Sequence, residues 1–406
     1  MLMKFSEDQD KNYFFSQPHQ PFFILAFISA IVTMIVFLLA YKGVLFLSMT
    51  PSNFHIYGLT FLVFTPAFLG FLFTTFPKFT STDPIARKSY IHIFTVLYFG
   101  AILFLLGSIV SPFLSTIALF LIFYTHARGF LILINIYNTT TIEDKHDIFW
   151  ILLSMGFGII AHILFIIGQI FYTPLITIAV EIAMYLYLFL LTFSVAQRMV
   201  PFFSHSTHDK NEKFLKNVFL LLSFHILAES INPNSSFLVD LALAYVIGKE
   251  ILRWELPFPN PNPLLWILHI SLYWIPVAFL LGGLTNFISL ISDNHFLALD
   301  IHALILGFVF TIFIGFGTRV TLGHSGNMMH ADKWTTLLFY WTQVVVSVRV
   351  LVSLVAAFKW DMMILLDISV AVWLMMFIAW GVRFFSVLIN GKKMVWSPKK
   401  VHKSVS

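Results

Sequence analysis

Residues 21–41 read PFFILAFISAIVTMIVFLLAY, an unbroken run without a single charge. At 1.5 Å of rise per residue, such a helix covers the ~30 Å hydrocarbon core of a bilayer. It is apolar on every side, as befits a helix surrounded by lipid or by other helices rather than by water. The residues before it are mixed and polar, with Glu7, Asp8 and Asp10, and no small-residue cleavage site follows. The run therefore reads as a retained span and not as a cleavable signal.

Working outward, similar runs recur at 54–76, 91–110, 112–136, 148–170, 172–197, 214–230, 236–252, 263–284, 296–317, 334–357 and 361–388. With the first they make twelve. The seventh and eighth are short, and Asp240 and Glu250 weaken the eighth. Only 11% of the 406 residues are charged and 59% are apolar, whereas a soluble domain carries about 25% charged residues. Too few charges remain to cover a water-facing surface. That excludes a disordered chain, a nucleic-acid binder and an ordinary soluble enzyme. The runs are continuously apolar rather than alternating, which excludes a β-barrel. The expected fold is all-α, a polytopic integral membrane protein with about twelve transmembrane helices. The expected organisation is an N-terminal tail over 1–18, a single transmembrane domain over 19–388 and a basic C-terminal tail over 389–406.

Charge placement supplies the orientation. With the N-terminus inside, nineteen of the 24 Lys and Arg fall in inner segments. Two, Lys42 and Lys359, fall outside, and Arg128, Arg349 and Arg383 lie within helices. This positive-inside bias predicts both termini on the cytoplasmic side. The absence of cysteine removes disulfides, thiolate nucleophiles and Cys-ligated haem or iron–sulfur clusters. No phosphate-binding glycine loop is present.

Ionisable groups inside apolar runs are costly and face the bundle interior, so they are the main functional signal. By the predicted topology, His55, His162, His225 and His302 lie at comparable depth in the outer halves of spans two, five, seven and ten. Asp300 precedes His302, Glu229 follows His225 by one helical turn, and Asp240 opens span eight on the same side. His126 and Arg128 fall in the inner half of span four, His269 in the inner third of span nine and Glu181 near the middle of span six. Arg319 and His324 lie towards the inner side, in what reads as a turn. Neutral imidazole is a natural ligand for haem iron, copper and zinc, and a carboxylate can hold such a ligand by its second nitrogen. Histidine can equally hydrogen-bond across helices without a metal. Arg128 and Arg349 need partners, for which Glu181 or an anionic group of a cofactor would serve. Gly315-x-Gly317 permits close approach of a backbone or a cofactor. His205-x-x-His208, in a polar loop, is a weaker candidate metal pair.

Several stretches resemble the NnrS family of haem- and copper-containing membrane proteins. Asp300-Ile301-His302-Ala303-Leu304, leading to Gly317-Thr318-Arg319-Val320-Thr321-Leu322-Gly323-His324-Ser325-Gly326, is similar to a family helix. That helix opens with His-Ala-Leu and ends in a Thr-Arg-Val-Ser-Leu-Gly-His-Thr-Gly-like turn. Gln197-Arg198-Met199-Val200-Pro201-Phe202-Phe203, Leu268-His269-Ile270 and Gln20-Pro21-Phe22-Phe23 resemble three further segments. Span two departs from the pattern: where the family usually has His-x-His-Glu-Met, this chain has His55, then Tyr57 and Gly58. The resemblance implies a multi-pass protein of the bacterial inner membrane, binding haem and copper and linked to nitric oxide metabolism or nitrosative stress tolerance. It implies cofactor contacts from His55, His162, His225, His269, His302, Arg319 and His324, with His55, His225 and His302 as metal ligands. Nitric oxide would meet a haem near the outer face, and a membrane electron donor is an implied partner. The competing reading is a metal-free transporter or assembly factor using the buried Glu181, Arg128 and Asp240. The sequence does not say whether the protein turns over a substrate.

Overall fold

Helix starts follow local chemistry. Thr50 accepts a hydrogen bond from the Asn53 amide ahead of Pro51, and Asn262 accepts one from the Leu264 amide ahead of Pro263. Pro112 likewise opens a helix in its first turn. Each proline sits where its missing N–H has no helical partner to lose, and Thr50 and Asn262 satisfy free amides. In the computed structural model, which describes residues 12–206 and 210–394, these starts belong to twelve long helices. They are α1 (His19–Tyr41), α2 (Pro51–Phe79), α3 (Arg87–Val110), α4 (Pro112–Thr139), α5 (His146–Ile170), α6 (Leu175–Phe203), α7 (Phe214–Ile231), α8 (Phe237–Arg253), α9 (Pro263–Ile291), α10 (Leu299–His324), α11 (Lys333–Ala357) and α12 (Met363–Asn390). The described residues contain no strand.

Eleven of the twelve are long and apolar enough to cross a membrane, so the chain is a multi-pass membrane protein. The remaining helix, α8, has 17 residues and carries Asp240, Lys249, Glu250 and Arg253. Several helix ends differ from expectation. The helices α2 and α6 run on through Pro77 and Pro201. The segment from Thr318 to His324, expected as a turn, is the end of α10, and the chain turns only at Gly326 (φ 65°). His208 and the tails over 1–11 and 395–406 lie outside the described residues.

Three helices form the centre. Over their apolar windows α2 and α10 are 83% buried and α6 67%, against 33–56% for the other eight candidate spans. Aromatic pairs lock them together: Phe68 against Tyr187, Phe71 against Phe316, and Phe189 against Phe308. Each contains a widened π-helical stretch, at Gly58–Phe64, Ile182–Phe189 and Ile305–Phe310. Such stretches recur at functional sites. In α2 the widening ends just before Pro66, whose ring would clash with a regular preceding turn. The Thr65 and Thr311 hydroxyls donate to the carbonyls five residues back, the Thr60 carbonyl also accepting the Thr65 amide.

One end of α11 illustrates a cap that can be tested. The Asp332 carboxylate accepts from the Thr335 amide at 2.9 Å and its hydroxyl at 2.7 Å, and it pairs with Arg383 of α12. Burial alone would raise its pKa. The Thr335 hydrogen bonds and the Arg383 charge outweigh it, leaving the carboxyl below its ordinary range. Asp332→Ala is expected to cost about 0.5–2 kcal/mol in an unfolding measurement at neutral pH. Because the folded pKa is depressed, this deficit is fully present above the ordinary Asp value of about 3.9. It shrinks as pH falls through the folded pKa. A deficit unchanged at pH 3 would contradict the ionised cap.

Candidate functional site

The three central helices are four apart in chain order, and each carries a pair of polar residues two positions apart: His55 and Tyr57 on α2, Tyr185 and Tyr187 on α6, Asp300 and His302 on α10. Residues two apart lie roughly 200° apart around a helix. Each central helix therefore faces two different polar clusters, and the four outer histidines separate into three sites instead of one.

The first cluster lies between α2 and α10. His55 and His302 have nearly parallel rings (20°) with centroids 6.5 Å apart. Both line a cavity of about 340 Å³ whose other walls are mostly apolar and come from α1, α2, α6, α10, α11 and α12. Neither ring nitrogen of His55 has a hydrogen-bond partner among the described residues; Phe37 packs on its ring at 4.4 Å. His302 is held more firmly. Its Nδ1 lies 2.7 Å from the Ala298 carbonyl and 3.2 Å from an Arg349 nitrogen. Arginine only donates, so one tautomer cannot serve both contacts. The shorter contact assigns the Nδ1 proton to Ala298 and leaves the Nε2 lone pair free. Arg349 also reaches the Leu297 carbonyl at 3.2 Å and the Ser353 hydroxyl at 2.6 Å. Leu297 and Ala298 both have left-handed backbone (φ 47° and 51°), a strained pair that turns these carbonyls towards their donors.

The second cluster lies between α2, α4, α5 and α6, and is fully buried. His126 Nδ1 is 3.3 Å from His162 Nδ1, and the Tyr57 hydroxyl is 2.8 Å from His162 Nε2. Phe61 stacks on His162 at 3.8 Å. Tyr187 packs against His126 at 5.3 Å and its hydroxyl meets that of Thr65 at 2.8 Å. Gly158 admits the Tyr187 ring; a Cβ there would lie 2.6 Å from it.

The third cluster lies between α6, α7, α8, α9 and α10. His225 Nδ1 is 2.6 Å from Asp240, whose other oxygen accepts from Ser236 (2.9 Å) and Asn286 (3.0 Å). His225 Nε2 is 3.5 Å from Glu181. Tyr185 donates to Asp300 at 3.0 Å. Both His225 nitrogens thus face carboxylates.

The remaining candidates stand apart from these clusters. His269 places one nitrogen 2.7 Å from Ser204 and the other 3.1 Å from the Pro257 carbonyl. Arg319 lies over the Phe203 ring at 4.1 Å. His324 packs against His19 at 5.0 Å and meets Lys78 at 3.3 Å. Arg128 is exposed on the outside of α4 rather than beside Glu181. Glu229 does not hold His225 but accepts from the Asn234 and Ser236 amides ahead of α8. The partnership of His126 with His162 was hidden because the two were assigned different depths. The facing of Tyr57, Tyr185 and Asp300 was hidden because these helices are apolar all round and show no periodicity.

Among the described residues no group of three or more His, Asp or Glu side chains is arranged to hold a metal ion. Two histidines lining one apolar cavity beside an arginine are the residues here that could hold a haem, the imidazoles through nitrogen and the arginine through a carboxylate. A family model described as NnrS protein matches residues 13–392, nearly the whole chain. Comparison with curated proteins finds no match.

Proposed function

The chain belongs to the NnrS family, and on that premise we propose that it binds haem in the cavity between α2 and α10 and handles nitric oxide there. The observation that carries this reading is the His55–His302 pair lining an apolar cavity beside Arg349. When bound, haem would supply an iron centre that takes electrons and diatomic ligands.

The chain's own residues do the rest. His302 would hold the group, its ring fixed by Nδ1 on the Ala298 carbonyl, the outer support that metal-bound histidines use. His55 has no such tether and would be the less firmly held of the two. Arg349 provides a cation for a carboxylate of the cofactor. Ile56, Leu59, Ile305, Leu306 and Trp373 exclude water. The orientation that fits the charge bias places both tails, over 1–18 and 389–406, on the cytoplasmic side of a bacterial inner membrane. The single transmembrane domain lies over 19–388, and a membrane electron donor is the natural reductant.

The test is an absorption spectrum of gently purified protein, oxidised and dithionite-reduced, with and without nitric oxide, alongside metal analysis. A Soret band that shifts on reduction and again with nitric oxide is expected. A folded protein with neither Soret band nor copper would favour the second reading, a metal-free transporter or assembly factor. The buried His225 and Asp240 and the half-buried Glu181 and Asp300 of the third cluster speak for that reading.

A further inference from the structure

The two glycines of Gly315-x-Gly317 serve different ends. A Cβ at Gly315 would lie 2.8 Å from the Leu268 side chain of α9, so that glycine permits close packing. Gly317 has no such reason. It sits in regular helix without left-handed backbone, and a Cβ there would meet only the Phe313 ring, at 4.0 Å. Glycine weakens a helix interior, and alanine would fit here without strain. The space that Gly317 leaves belongs to a small cavity of about 40 Å³ at the centre of the bundle, walled by α1, α2, α6 and α10. Every wall residue except Phe68 is buried, which closes the cavity off from lipid. Phenylalanine, leucine, isoleucine, valine and alanine make up nearly all of the wall. Thr192 brings a polar side chain to it, and that hydroxyl already donates to the Leu188 carbonyl at 2.7 Å.

We propose that this cavity holds a small, uncharged, apolar molecule of diatomic size, and that it is a waiting place for nitric oxide next to the larger cavity of His55 and His302. The second clause rests on the proposed function; the first stands without it. Size and chemistry select the guest. A water needs roughly 10–15 Å³ and several polar partners. The cavity has the room for more than that but not the partners, and it is too small for a cofactor or a lipid chain. An ion would find no counter-charge on the wall, and burying one unpaired is costly. An apolar guest forfeits no hydrogen bond there. Position supplies the link to the larger cavity, one helical turn away. Phe64, Leu188 and Ile305 line the larger space, and Phe68, Thr192 and Val309, each four residues on, line the smaller. The Phe64 ring packs 6.3 Å from Phe68 and 6.4 Å from Phe313, so it stands between the two. A swing of that ring is the route from one to the other, and Gly317 keeps the far end open.

The probe is xenon, an uncharged atom that dry apolar cavities take up. Crystals of the full chain are pressurised with xenon and the atom is located by its anomalous scattering. The wild type is expected to take xenon against Phe313 and Gly317. Gly317→Val should lose it, and Gly317→Ala, a change that favours the helix, should lower its occupancy and serves alone if the valine variant does not fold. In haem-loaded protein, nitric oxide released by a light flash should show a slow rebinding phase in the wild type that Gly317→Val lacks. No xenon in the wild-type cavity, an ordered water in its place, or xenon retained at full occupancy in both variants would each overturn the site. Xenon bound, but rebinding identical in wild type and Gly317→Val, would overturn the waiting role. The xenon measurement needs no haem. A chain that takes xenon yet shows no Soret band would therefore sink the haem reading and leave the apolar site established.

Discussion

His302→Ala is expected to strip the protein of haem, a fall of more than about tenfold in haem per chain judged by the Soret band against protein mass. On the proposed reading His302 would hold the haem, and it is the ring of the pair tethered to a backbone carbonyl. Losing even a supporting contact costs metal sites about 10–100-fold in affinity, and losing the ligand itself should cost more. His55→Ala should be milder in haem content, because the tethered ligand remains, but should alter the spectrum and its response to nitric oxide. Arg349→Gln should weaken retention without abolishing it. Unchanged haem content in His302→Ala would remove the cavity between α2 and α10 from consideration.

The largest loss of stability is expected from Asp240→Ala. The side chains of His225 and Asp240 are 1% and 2% exposed and 2.6 Å apart. Removing one partner of such a buried pair typically costs 3–5 kcal/mol, because the other is left without compensation. Here Ser236 and Asn286 also lose their acceptor. Unfolding in detergent should show a deficit of about that size. Replacing His225 and Asp240 together by leucine should recover part of it, since apolar replacements of a whole pair are often neutral. If Asp240→Ala lost less than about 1 kcal/mol, the third cluster would not be a structural lock, and the transport reading would gain.

The twelve helices were legible because each announces itself by length and apolarity, and proline or a capping side chain marks several starts. The exit of α10 was misread because glycine and polar residues at 317–326 look like a turn, although the helix continues to His324. The histidines were legible as a set but not as sites. A step of one residue turns a side chain about 100° around the helix, and an all-apolar helix gives no reference face from which to count. His126 and His162 show the consequence: assigned to different depths, they lie 3.3 Å apart. The recurrence of the central helices was hidden for a related reason. His55-Ile56-Tyr57, Tyr185-Leu186-Tyr187 and Asp300-Ile301-His302 share spacing and placement, not residue identity.

That spacing sets a rule for interpreting damage. His55 and Tyr57 ride on one rigid rod, as do Asp300 and His302, so twisting either rod spoils two chambers together. An insertion or deletion within Gly58–Phe64, which holds Phe61 of one chamber and Thr60 and Phe64 of the other, should act like a double lesion, disturbing the cavity and the buried His126–His162 contact at once. Loss of haem together with a fall in stability in such a variant would report a shared axle, whereas point replacements at His302 or His126 separate the chambers.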